Sequence, residues 1–216
     1  MSTSEGLHLP PLPYAAEALA PAIGAGTVSV HYRQIFGAHR DALRILLDGH
    51  PSLAKKSAEE LLCARSLPAR DAAEIRWHAG AVFAHTLYFS SMRPPVGGYA
   101  EPLGELACLI RRDIGSYGEL CFRFREAALA IRGVGFLYLV LTPRGDRVRL
   151  LACRDTGVPS SAEGKPLLCM DLWEHAYYLD YAADRAAAVN AFLSVLDWEA
   201  AERRLQDLLG KITNGK

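Results

Sequence analysis

The sequence predicts an α+β protein, with an all-α N-terminal half and a C-terminal half that mixes helices with strands. Three observations predict it. Before residue 95, apolar residues recur at helical spacing over long stretches. Between 135 and 153 the period changes to that of strands. Between the two, "PPVGGY" at 94–99 concentrates proline and glycine, the residues that punctuate a chain. The expected division is therefore an N-terminal helical hairpin domain at 1–95 and a C-terminal domain at 96–216.

Taken in order, "HLPPLPY" at 8–14 is proline-rich and should be extended. From about Ser29 to Leu47 the spacing of Val30, Ile35, Phe36, Leu43, Leu46 and Leu47 fits a helix, which Gly49 stops. Residues 57–65 fit a short helix. Asp71 opens a longer one, "DAAEIRWHAGAVFAHTLYFSSM", ended by Arg93-Pro94-Pro95. Two long helices with a modest connection read as a helical hairpin. Further helical patterns span Glu101–Ile114 and Ser116–Arg132. "GFLYLVLTPRGDRVRLLAC" is two β-rich runs about a turn at "PRGD", and "PLLCM" fits a third strand. From about Glu174 to Leu209 the pattern is mostly helical.

Composition sets limits on function. The chain has 216 residues, enough to bury a real core. It carries 24 Lys plus Arg against 24 Asp plus Glu, so no nucleic acid or anionic membrane is expected as a partner. The five cysteines form no CxxC pair, and their odd number speaks against a disulfide framework or a cysteine-rich zinc site. A reducing cytoplasm is the expected compartment. The first residues show no basic start followed by an apolar run, so no secretory leader is expected. "GVG" at 133–135 lacks the spacing of a nucleotide-binding loop.

The chemistry centres on "CMDLWEHAYYLDY", 169–181. It is apolar and aromatic, yet Asp171, Glu174 and His175 fall within five positions, and charged groups are rarely buried without partners. Asp171 and His175 are four apart, so a strand ending near Asp171 and a helix beginning there would aim both at one spot. His31 sits on the apolar side of the first long helix, and His85 lies within "VFAHTLYF". Three imidazoles and a carboxylate in apolar settings suit a transition metal, whose bonds would offset the cost of burial. Each has a plainer reading: the histidines as hydrogen-bonded core residues, Asp171 as a helix N-cap. Spacing leaves both readings open.

"DLWEHAYYLDY" closely resembles the D-x-W-E-H-A-Y-Y signature of the iron/manganese superoxide dismutases, and the resemblance runs through nearly the whole chain. "LPPLPYAAEALAPAIGAGTVSVHY" is similar to that family's opening, "HTLYFSSMRP" to its segment around a second histidine, "GVGFLYLVL" to a strand, and "VLDWEAAERRL" to its C-terminal helix. The resemblance implies a helical-hairpin domain followed by a domain with a three-stranded antiparallel sheet and flanking helices. It implies one iron or manganese ion per subunit, held by His31, His85, Asp171 and His175. It also implies a homodimer, or a tetramer, in which Glu174 reaches His175 of the other subunit. The implied activity converts superoxide to dioxygen and hydrogen peroxide.

Around these four positions the chain departs from the family's pattern. His39 stands where the family has a gateway tyrosine. Ile35 replaces a histidine that contacts the dimer-related tyrosine, whose match is Tyr178. The glutamine that holds bound solvent would come from the position of Ala81 in iron-type members or of Thr156 in manganese-type ones, and neither is Gln. The tryptophans of the site wall become Phe136, Tyr138 and Phe89, with Trp173 retained, and Ala84 replaces an asparagine. His39 either replaces the lost proton donor, since imidazole titrates near neutral pH, or is a partly exposed helix residue with no role; His39 and Tyr178 are the expected catalytic side chains. Cys169, two before Asp171, is expected to be a small filler, and Arg185 matches an arginine of the substrate funnel. "DTGVP" at 155–159 is closer to the iron-type loop, so iron is slightly favoured. The alternative expectation is a divergent metal-binding homologue with little dismutase activity, serving metal storage, sensing or other redox chemistry.

Overall fold

The structure is a computed structural model and describes residues 9–95 and 101–214. His8 and residues 96–99 of the expected domain border lie outside the described residues.

The first long helix, α1, runs through Ala25–Val30, a π-helical stretch His31–Phe36, and Gly37–Leu47. It begins four residues before the expected start. Gly26 and Thr27 are poor helix formers and hid the first turn, but Thr27 and Val28 are buried and the packing decides. The chain turns at Asp48–Gly49 as expected. A single turn at Pro51–Ala54, unmarked by periodicity, precedes α2 (Ala58–Leu62), which a reciprocal Ser57–Glu60 capping box starts.

Helix α3 (Ala72–Phe89) is the second arm of the hairpin. From Ala79 onward it is buried on nearly all sides, as a helix covered on both faces must be. It ends three residues before the expected Met92. The Ser90 and Ser91 hydroxyls donate back to the Thr86 and Leu87 carbonyls, and Met92 leaves the axis to bridge Leu196.

In the second half, α4 (Gly104–Asp113) and α5 (Tyr117–Ala130) lead into a three-stranded antiparallel sheet of order β2-β1-β3. The strands are β1 (Gly135–Leu141), β2 (Val148–Arg154) and β3 (Lys165–Asp171). Central β1 is buried at every residue, which its unbroken apolar run requires, whereas the edge strand β2 is largely part-exposed. Helices α6 (Arg185–Ser194) and α7 (Trp198–Asn214) complete the chain.

Two close contacts seat the hairpin on the sheet. Cys169 Sγ of β3 donates to the Ala84 carbonyl of α3 at 3.3 Å. A Cβ on Gly80 would lie 2.2 Å from the Thr156 carbonyl oxygen, so only glycine allows α3 to approach the loop after β2 this closely. On the other side, the Arg204 guanidinium of α7 donates to the carbonyls of Leu167 (2.9 Å) and Ser90 (2.6 Å), tying three elements together.

Candidate metal centre

The four residues singled out in the sequence meet between hairpin and sheet. His31 comes from α1, His85 from α3, Asp171 from the end of β3, and His175 from the 3-10 turn Glu174–Ala176. Their ligand-type atoms all lie within 4.8 Å of one another, with His31, His85 and Asp171 buried and His175 partly exposed.

Local structure aims each group. Asp171 does not cap a helix, since the residue before the 3-10 turn is Trp173; its Oδ1 accepts the backbone N–H of Trp173 at 2.8 Å, and this turns Oδ2 inward. Nε2 of His31, His175 and His85 stands 3.1, 3.2 and 3.4 Å from that single oxygen. His85 Nδ1 lies 2.7 Å from the Ala81 carbonyl. A carbonyl only accepts, so Nδ1 carries the hydrogen and Nε2 presents a lone pair. Thus the position where a glutamine was sought, Ala81, serves the site through its backbone.

This arrangement calls for a cation. The His85 lone pair and the Asp171 carboxylate are both acceptors, yet they face each other at 3.4 Å, both buried. Nε2 of His31 and of His85 is buried without a hydrogen-bond partner. Metal bonds of about 2.1 Å at angles near 90–120° would set neighbouring ligand atoms about 3.0–3.6 Å apart, and the three nitrogens stand 3.1–3.4 Å from Asp171 Oδ2. The protein's own electrostatics agree. Burial, and then proximity to His31, pushes the His85 pKa down to about 3. Burial lowers that of His31 as well. Burial raises that of Asp171, but the His175 and His31 imidazoles beside it outweigh burial and hold the carboxyl well below its usual range. The set is neutral imidazoles around one carboxylate, the protonation state that binds iron, manganese or zinc.

Aromatic rings enclose the centre. Phe36 stacks on His85, Phe89 meets His31 edge-on at 4.9 Å, Phe136 meets His85 edge-on at 5.8 Å, and Trp173 stacks on His175 at 5.7 Å. Tyr138 is fully buried, its hydroxyl donating to the Gly157 carbonyl. Thr156 is buried against Gly80. Cys169 is fully buried near Asp171, its thiol pKa raised by burial. Arg185 is anchored by backbone carbonyls. Its guanidinium donates to the carbonyls of Ile131 and Gly133 at 2.8 Å and to the Tyr177 hydroxyl at 3.3 Å. Glu174 and Tyr178 make no side-chain hydrogen bond among the described residues, and Tyr178 is 49% exposed.

His39 lies beside the centre, its ring centroid 5.8 Å from that of His85. An α turn holds 3.6 residues and a π turn roughly one more, so two turns that include the π stretch span about eight. His31 and His39, eight apart, therefore share a face of α1. His39 also meets His78, which the sequence marks only as a histidine without a role before Gly80, with the two Nδ1 atoms 3.0 Å apart. The signal was there in the spacing, since His78 is seven residues before His85 and shares its face of α3.

Comparison with known proteins agrees with this geometry. Residues 7–93 match the alpha-hairpin domain of iron/manganese superoxide dismutases, and 102–204 match the C-terminal domain of the same enzymes. The chain is 32% identical over 209 residues to a superoxide dismutase (Fe) of Pyrobaculum aerophilum, covering 97% of this chain and 96% of the relative. It is 34% identical over 198 residues to a superoxide dismutase (Mn) of Listeria monocytogenes, covering 91% and 96%. It is 34% identical over 198 residues to a superoxide dismutase (Fe) of Salmonella typhimurium, covering 92% and 97%.

Proposed function

The chain belongs to the iron/manganese superoxide dismutase family and is a superoxide dismutase, and we propose that His31, His85, Asp171 and His175 hold its iron or manganese ion. The observation that carries the ligand assignment is the convergence of three imidazole Nε2 atoms on one buried carboxylate oxygen, with two of the nitrogens otherwise unpartnered. When bound, the metal supplies a one-electron couple, through which one superoxide leaves as dioxygen and a second, with two protons, as hydrogen peroxide.

The chain's residues do the rest. Asp171 provides the one negative charge of the set, and the Trp173 N–H fixes its orientation. The Ala81 carbonyl fixes the tautomer of His85. Phe89, Phe136 and Trp173 wall the site, and a dry wall strengthens the electrostatics inside it. His39 is the proton-handling side chain at the place of the family's tyrosine. It is part-buried beside His85, and burial followed by the neighbouring His78 holds its pKa down to about 4. At neutral pH it therefore exchanges protons as a neutral imidazole with one N–H. Thr156 and Cys169 shape the back of the site, and Arg185 braces the loop before β1 against Leu172.

The domains divide at 1–95 and 96–216 in this reading. The active form is a homodimer, built so that Glu174 of one subunit reaches His175 of the other and Tyr178 lies at the joint. Its support is that Glu174 has no partner among the described residues, and that Tyr178 and Leu179 stand 49% and 66% exposed beside the centre. No described helix is long and apolar enough to cross a membrane. The cytoplasm is the compartment that five free cysteines favour.

Metal analysis of the purified chain, and of variants with each of the four residues changed to Ala, tests the ligand set. The parent is expected to carry iron or manganese and each variant to lose it. A variant that keeps both metal and activity would remove its residue from the set.

A further inference from the structure

We propose that His78 is a positioning residue for the dismutase reaction, holding the His39 ring beside the metal centre through a single hydrogen bond between their Nδ1 atoms. This rests on His39 being the proton-handling group.

The geometry is specific. The two Nδ1 atoms are 3.0 Å apart while the ring centroids are 5.1 Å apart and the planes tilted by 56°, so the rings meet through their edges and not their faces. A ring nitrogen is either N–H or lone pair, so one Nδ1 must donate and the other accept. The two rings are thereby held in complementary tautomers, so the tautomer of His39 is tied to that of His78. His78 comes from α3, the helix that also carries His85, whereas His39 shares α1 with His31. The contact thus joins the two arms of the hairpin one layer outside the ligands. The other ring nitrogen of His78 lies 3.8 Å from the exposed Glu74 carboxylate, so the pair leads outward to solvent. Neither position that could have supplied a glutamine does so, and among the described residues no side chain other than His78 hydrogen-bonds His39.

Two measurements test this. In the metal-free, ¹⁵N-histidine-labelled chain, a through-hydrogen-bond ¹⁵N–¹⁵N coupling between the two Nδ1 atoms is expected, and its absence would overturn the proposal. Superoxide decay per bound metal ion is then compared among the parent, His39→Phe, His78→Phe, His78→Gln and the double Phe variant, each checked for parental melting temperature and metal content. His78→Phe is expected to slow decay by about tenfold, the usual size for a residue that orients another at a metal site. The double variant should be no slower than the slower single one. His78→Gln, which keeps a hydrogen-bonding group in reach, should restore most of the rate. A slow His39→Phe with a parental His78→Phe would overturn the positioning role and leave the reading of His39 intact. A parental His39→Phe would overturn both.

Discussion

Nε2 of His31 lies 3.1 Å from Oδ2 of Asp171, buried and with no hydrogen-bond partner. Two more imidazole nitrogens face that same oxygen. Asp171→Asn keeps the shape and removes the charge. The variant is expected to lose metal occupancy by at least about tenfold, and superoxide decay with it. Added iron or manganese should raise the melting temperature of the parent, because ligand binds only the folded state, and should not raise that of the variant. Equal metal-dependent shifts in both would show that Asp171 does not hold the ion.

Acid should loosen the metal-free chain before it reaches carboxylate pKa values. Burial, chiefly, holds the His39 pKa to about 4 and that of His85 to about 3. An unfolded histidine titrates near 6.5. With the folded value depressed, the unfolded state binds more protons between these limits. The contribution to stability is complete above about pH 6.5 and is lost as pH falls toward 4 and below. Melting curves of the metal-free chain from pH 7.5 to 4.5 should show a steady decline, and a flat profile would contradict the buried, neutral placement of these rings.

Gly80→Ala tests the seating of α3 on the loop after β2. Its Cβ would sit 2.2 Å from the Thr156 carbonyl oxygen, and backbone must give way. A loss of about 1–3 kcal/mol in denaturant unfolding is expected, with a drop in superoxide decay as the Thr156 loop shifts. A variant as stable as the parent would show that the approach is looser.

Arg204→Met removes the donors that join α7 to the Leu167 and Ser90 carbonyls while keeping much of the side chain's length. Losing charge-assisted hydrogen bonds to part-buried acceptors is expected to cost about 2–3 kcal/mol, with metal content unchanged. Unfolding midpoint and metal content together check this.

The legible parts of this fold were those with long-range regularity. The apolar run of β1, the turn before β2 and the long apolar stretch of α3 between Asp71 and the prolines at 94–95 all read directly from residue order. Asp171 and His175 stood together in one local motif, whereas His31 and His85, distant from it in sequence, were joined to them only by the resemblance to the family. The first turn of α1 was hidden because Gly26 and Thr27 carry a weak propensity that packing overrides. The early end of α3 was hidden because it depends on serine hydroxyls bonding back and on Leu196, far along the chain. The partners of Arg185 and the pairing of His39 with His78 are contacts between residues distant in sequence, and no local pattern encodes them. Only the i, i+7 relation of His78 to His85 pointed that way.

The most direct test of the central claim is the rate of superoxide decay per bound metal ion, measured on protein purified separately from iron-fed and manganese-fed cells. Decay far faster than that of the same amount of free metal, with at least one of the two ions, is the predicted result, and it would name the working cofactor. Full metal occupancy with decay no faster than free metal, for both ions, would contradict it.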